Sequence, residues 1–269
     1  MSSATATNTL QDAAPGEQDN VAEVRELTKF YGEDIHALDK INLGFPRGQM
    51  TTLLGPSGCG KTTLLKIIAG LLDATSGQVL INGKTVTGPG PERAFVFQDF
   101  ALLPWATVLR NVAFGLELNG TPKESREEKA RHYIDEVGLS GFENKYPHEL
   151  SGGMRQRVGL ARALVVDADV LLMDEPFSAV DEQNRRKFQE DLLHLLAHEK
   201  KSVIFVTHSI EEAVYVSDQI VLLSPRPGRI HSIIRPEISH DADPDVIRRD
   251  KNYLDTIEQI WSELRKYLD

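Results

Sequence analysis

The run Gly55-Pro56-Ser57-Gly58-Cys59-Gly60-Lys61-Thr62 has the spacing G-x-x-x-x-G-K-[ST]. Its glycines let the backbone curl until several N–H groups converge on phosphate oxygens. Lys61 is then placed for the β and γ phosphates, and the Thr62 hydroxyl for Mg²⁺. A second group, Val170-Leu171-Leu172-Met173-Asp174-Glu175, is an apolar run closed by two carboxylates. A buried parallel strand ending in acids puts them at the carboxyl edge of a sheet, where α/β proteins bind ligands. There Asp174 would hold Mg²⁺ through water, and Glu175 would orient and deprotonate an attacking water. His208 ends another apolar run and falls at the same edge. A third group, Ser151-Gly152-Gly153, opens a helix with glycines and a hydroxyl able to cap it, which makes a second anion site. One chain with a complete phosphate loop has no evident use for a second.

The elements that must carry these groups follow from periodicity. Residues 23–29 and 35–45 alternate as an antiparallel β portion, and 50–54 is a short apolar strand running into the glycines. A helical pattern covers 61–72. Strands are expected at 79–82 and 94–97, separated by the Gly88-Pro89-Gly90-Pro91 turn. From 107 to 164 the pattern is helical, with helices at 108–118 and 122–137 and a third starting at Ser151. Strands at 170–173, 203–206 and 219–223 then alternate with helices at 181–198 and 210–217, which implies a parallel sheet covered on both faces. A terminal helix is expected over 246–268.

At 269 residues, with 41% apolar and 26% charged side chains, the chain can bury a sizeable core. A formal net charge of -10 argues against nucleic acid as a partner. The runs Arg185-Arg186-Lys187 and Arg248-Arg249 read as solvated helix faces. A lone cysteine, Cys59, forms no internal disulfide and fits a reducing compartment. No apolar run approaches the ~18 residues that span a bilayer. Residues 1–21 lack a cationic or apolar stretch and are expected to be a disordered tail rather than a secretory signal. The protein is therefore expected to be soluble and cytosolic by itself, with any membrane role supplied by a partner.

In this order, the motifs resemble those of the ATP-binding-cassette (ABC) ATPases of membrane transporters, over residues 23–236. The resemblance implies an α/β P-loop NTPase over 22–236. It would have a mostly parallel sheet, an N-terminal antiparallel β portion, an inserted helical subdomain at about 107–164, and a C-terminal extension over 237–269. It implies that Gly55, Pro56, Ser57, Gly58, Cys59, Gly60, Lys61, Thr62 and Thr63 bind ATP, with Cys59 contributing its backbone. Tyr31 is the residue expected to stack on adenine, with Phe30 a second candidate. Glu175, His208 and Gln98 would be catalytic, His208 at the γ-phosphate; Thr62, Gln98 and Asp174 would serve the Mg²⁺. Ser151, Gly152 and Gly153 would act in trans, covering the γ-phosphate held by a second copy. The Ser178-Ala179-Val180-Asp181 loop would cross that seam through Asp181, with Val180 where the family usually carries Leu.

A separate cassette of this size resembles the ATPase subunit of a bacterial importer. It would lie on the cytoplasmic face of the inner membrane and drive transmembrane permease subunits, with a solute-binding protein as an indirect partner. Phe100-Ala101-Leu102-Leu103-Pro104-Trp105 would either pack within the helical lobe or form the groove that receives a permease helix. With Met154-Arg155-Gln156-Arg157, this segment is most similar to the nitrate/sulfonate/taurine importers; sugar importers typically carry Gln at the position of Met154. The alternative is a soluble ABC-type regulator, or an exporter ATPase, without an importer partner.

Overall fold

The structure is a computed structural model that describes residues 19–178, 182–199, 201–238 and 242–267. Two sheets organise it. The first contains β1 (Asn20–Tyr31), β2 (Ile35–Pro46), β4 (Ser76–Ile81) and β5 (Lys84–Thr85), all antiparallel in the order β2-β1-β4-β5. The second contains β3 (Met50–Leu54), β6 (Arg93–Val96), β7 (Val170–Asp174), β8 (Ser202–Val206), β9 (Gln219–Leu223) and β10 (Ile230–Ile234). Its order is β10-β9-β3-β8-β7-β6, parallel except for the antiparallel β10.

Between β3 and β4 runs α1 (Lys61–Ile68); between β6 and β7 run α2 (Val108–Leu118), α3 (Lys123–Glu136) and α4 (Gly152–Leu164). Then come α5 (Glu182–Glu199), α6 (Ile210–Val216), α7 (Pro244–Ile247) and α8 (Lys251–Arg265). Strand β7 shows why the second sheet is buried on both faces. Val170 and Leu172 pack with α1 and the first sheet, while Leu171 and Met173 face the core shared with α2–α5. Alternation of side chains by two supplies both cores from one strand.

Three expectations are corrected. Strand β1 begins at Asn20, inside the expected tail, because Val21 is fully buried and Asn20 pairs with Pro46; residues 1–18 lie outside the described residues. Helix α1 stops at Ile68 rather than 72. Gly70 takes φ 72° and sends its N–H to Ile67 O while Leu71 bonds Lys66 O, a glycine-closed helix end. The helix expected over 246–268 is broken in two, because the carboxylates of Asp243 and Asp250 each accept an N–H two residues on and start separate helices. Neither β5 nor β10 was expected.

Candidate active site

The parallel register brings distant motifs to one edge. Val96 pairs with Met173, Asp174 with Val206, and Leu53 with Val206. Gln98, Asp174-Glu175, His208 and the phosphate loop therefore all leave the same end of the sheet. A cavity of about 480 Å³ opens there, lined in part by Ser57, Gly58, Gly60, Lys61, Thr62, Thr63, Tyr31, Glu175 and His208.

The loop is shaped by close backbone approaches. Gly60 has φ 104°, and a Cβ there would meet Leu38 Cδ2 at 2.6 Å. Gly228, in the turn between β9 and β10, presses on the loop from below, where a Cβ would lie 2.1 Å from the Cys59 carbonyl oxygen. Inside the curl, Lys61 is 7% exposed. Its ammonium donates to the carbonyls of Gly55 (2.7 Å) and Pro56 (3.1 Å) and lies 3.8 Å from Cys59 Sγ. The Cys59 side chain is buried in the core under the loop, and burial pushes its thiol pKa up, against the pull of Lys61. Its side chain therefore faces away from the cavity and its neutral form is favoured.

Thr62 Oγ1 donates to Asp174 Oδ1 at 2.9 Å. Burial raises the Asp174 pKa, and the Thr62 hydrogen bond works in the opposite direction. A hydroxyl and a carboxylate side by side are hard oxygen donors suited to Mg²⁺. Among the described residues there is no cluster of three or more His, Cys, Asp or Glu that could hold a metal by itself. Mg²⁺ ordinarily takes one or two carboxylates plus substrate phosphates, so these residues fit it in company with a nucleotide.

Glu175 sits at φ 48°, just past the end of β7, with its N–H on Val206 O. That left-handed backbone turns the side chain out of the strand direction at a cost. Its Oε2 receives the Gln98 amide at 3.3 Å and lies 3.5 Å from His208 Nδ1. Three groups from three strands thus meet at one carboxylate oxygen. Tyr31 lines the cavity and its hydroxyl meets Thr63 Oγ1 at 3.1 Å, whereas Phe30 stacks on His36 with ring centroids 4.1 Å apart. Ile35, Ala37 and Arg226 also line the cavity, and no sequence motif marked them.

Ser151 caps α4, its Oγ accepting the Met154 N–H at 3.2 Å, as the hydroxyl-glycine pattern predicts. Yet Ser151, Gly152 and Gly153 do not line the cavity of their own chain. Asp181, with Ala179 and Val180, lies outside the described residues.

The apolar segment after Gln98 divides in two. Phe100 is buried and Leu102 packs on the helical core, while Trp105 is 70% exposed. The fully buried Asn111, unmarked by sequence, holds the loop. It accepts the Leu103 N–H at 2.8 Å and donates to the carbonyls of Leu103, Ala106 and Thr107 at 3.0–3.1 Å. Arg162 adds bonds to Phe100 O (2.5 Å) and Ala101 O (2.8 Å).

Known proteins resemble this chain over most of its length. The ABC transporter family model matches residues 38–178. An uncharacterised ABC transporter ATP-binding protein of Methanocaldococcus jannaschii is 54% identical over 223 residues, covering 82% of this chain and 84% of the relative. The taurine import ATP-binding protein TauB of Roseobacter denitrificans is 48% identical over 204 residues, 76% of each chain. Among solved structures, the dimer of a bacterial ABC transporter cassette aligns with TM-score 0.70 and 32% identity, over 80% of this chain and 98% of that one. The same cassette is known as a dimer in a post-hydrolysis state with ADP and Pi, at TM-score 0.69. With its phosphate loop, acidic strand end and sheet-edge histidine gathered in one cavity, the chain belongs to the ABC transporter family, as an ATP-hydrolysing cassette.

Proposed function

We propose that this cassette powers an importer: two copies close around two ATP molecules, and hydrolysis reopens them to drive a membrane permease. The observation that carries the reading is a division of labour. Lys61, Thr62, Glu175 and His208 share one cavity, while the capped turn at Ser151-Gly152-Gly153 does not line it. A second anion site outside that cavity is useful to another copy, and a dimeric cassette is among the structural neighbours.

In each site, backbone N–H groups of Gly55, Pro56, Ser57, Gly58, Cys59 and Gly60, with Lys61, would bind the phosphates, and Tyr31 would stack on adenine. Thr62 and Asp174, joined by Gln98, would hold Mg²⁺, which when bound supplies charge neutralisation at the phosphate oxygens. Glu175 takes a proton from water as its oxygen attacks the γ phosphorus and the bond to the β-phosphate oxygen breaks. His208 and Gln98, both at Glu175 Oε2, keep that carboxylate aimed at the water. The partner's Ser151 turn covers the γ-phosphate, and Asp181 crosses the seam. Two or three charge-assisted bonds per site, at ~1.5–3 kcal/mol each, sum over two sites to on the order of 10 kcal/mol. That is comparable to the cost of association, so losing the γ-phosphate is enough to release the pair.

The exposed Trp105, on a loop braced by Asn111 and Arg162, supports a docking groove for a permease helix. No helix among the described residues is long and apolar enough to cross a membrane, so transport requires such a partner. The cassette would then be peripheral, at the cytoplasmic face. Relatives named for taurine import support a small sulfonate or related solute as cargo, delivered by a solute-binding protein.

Mixing two defective variants tests the shared sites. Glu175→Gln and Ser151→Arg should each be nearly inactive alone, and the mixture should regain hydrolysis, because one composite site per mixed dimer keeps every part. A mixture no faster than the mean of its components refutes sharing.

A further inference from the structure

A buried carboxylate lies behind the histidine that the mechanism uses. Glu212, on α6, is 8% exposed. Its Oε2 accepts the hydroxyl of Thr207 at 2.5 Å, and its Oε1 lies 3.7 Å from Arg185 Nε of α5. Thr207 is itself 2% exposed and its Oγ1 accepts the Ser209 N–H at 3.0 Å. His208 thus sits at the tip of a turn closed on both sides, with Thr207 and Ser209 tied together below it and Glu212 gripping the tie. Ser209 closes the circuit, since its Oγ accepts the Glu212 N–H at 3.2 Å as the cap of α6. Arg185, Thr207, His208 and Glu212 also line one small cavity of about 90 Å³, together with Glu175, Phe177 and Ser178.

The His208 side chain, by contrast, is 67% exposed and lies 3.5 Å from Glu175 Oε2 as its one ion-pair partner among the described residues. Little in its own surroundings fixes the ring. The turn beneath it must do so, and a buried carboxylate bonded to a hydroxyl is a stiff anchor because leaving either group unpaired costs the full desolvation of that group. Arg185 extends the anchor to α5, the helix that follows the Ser178-Ala179-Val180-Asp181 segment in the chain.

We propose that Glu212 is a positioning residue for hydrolysis: acting through Thr207, it holds the His208 turn so that the imidazole stays on Glu175. This rests on the reading of His208 given above. Glu212 touches no phosphate in this scheme, so removing it slows turnover without weakening ATP binding.

The test measures kcat and nucleotide affinity for Glu212→Ala, Glu212→Gln, Thr207→Val, His208→Ala and the Thr207→Val/Glu212→Ala pair. Glu212→Ala should lower kcat by about tenfold or more, with ATP affinity within threefold of the parent. Glu212→Gln keeps an oxygen for the Thr207 hydroxyl and should recover most of the loss. Thr207→Val should match Glu212→Ala, and the double variant should be no slower than either single, because both cut one link. Losses that multiply in the double variant, or an affinity that falls along with kcat, overturn the inference. So does Glu212→Ala turning over at the parental rate. Should Glu212→Ala fail to fold, Thr207→Val with Glu212→Gln decides: a tenfold loss in the first and near-parental kcat in the second support the link, and any other pair of results sinks it. His208→Ala separates the two readings. If it alone is inactive while Glu212→Ala is normal, only the positioning role fails; if it is fully active, the role of His208 falls first.

Discussion

Replacing Lys61 with Ala removes the one side-chain cation inside the phosphate loop, and its effect can be worked from the bonds in place. The ammonium has three N–H donors. Two are held by the Gly55 and Pro56 carbonyls, and the third faces only a distant sulfur. One charge-assisted bond to phosphate is therefore available without breaking another, worth about 1.5–3 kcal/mol. At 1.4 kcal/mol per decade, Lys61→Ala should bind ATP about 10- to 150-fold more weakly. The Gly55 carbonyl loses a buried donor and the Pro56 carbonyl a part-buried one, so the stability cost should be about 1–3 kcal/mol, a Tm drop of about 2–12 °C. Titration with a fluorescent ATP analogue, beside circular dichroism and thermal melts, reads both quantities. An affinity within twofold of the parent, in a protein that melts normally, would refute the placement of phosphates over Lys61.

Three further outcomes follow from the geometry. Burial raises the Asp174 pKa above the ordinary 3.8, so the folded state favours the protonated acid, and the ionised form costs stability as pH rises through the folded value. Asp174→Asn should therefore melt higher than the parent without nucleotide, by a margin larger at pH 7 than at pH 4, while Mg²⁺-dependent ATP binding is lost; an equal margin at both pH values refutes the burial argument. Cys59 should resist iodoacetamide in the native state at pH 7.5, since its thiol is buried and held neutral; rapid alkylation of the folded protein contradicts that. Trp105→Ala should leave ATP affinity unchanged yet lower the amount of permease recovered with the cassette, and equal recovery would move the docking surface elsewhere.

The chemistry-bearing groups were legible because their types and spacing are demanded locally. A glycine curl needs Gly60 at positive φ, and a helix opening needs Ser151 as its cap. An unbroken apolar run made β7 readable, and its two acids followed. What escaped the sequence were groups made important by distant contacts. Asn111 looks like any polar helix residue until the Leu103 and Ala106 backbone is laid against it. Arg226 reaches the cavity only because β9 lies beside β3. Glu212 is one acid among neighbours at Glu211 and beyond, and only its contact with Thr207 singles it out. The two-residue β5 and the exposed-edged β10 carry too little alternation to announce themselves. The break between α7 and α8 did have a local signal, the aspartates at their starts, outweighed by an apolar rhythm running through both.

Gly228 has one more consequence. The stretch that the family shares most plainly ends at residue 178, yet the hairpin carrying Gly228 underpins the loop far upstream, its N–H on Ala37 O and its carbonyl taking the Asp39 N–H. A fragment cut after the acidic strand would keep every motif residue of the phosphate grip and lack the ledge on which that grip rests. Nucleotide capture in this protein is thus a property of its last third as much as its first, and a nascent chain gains it only once that hairpin has emerged and folded back.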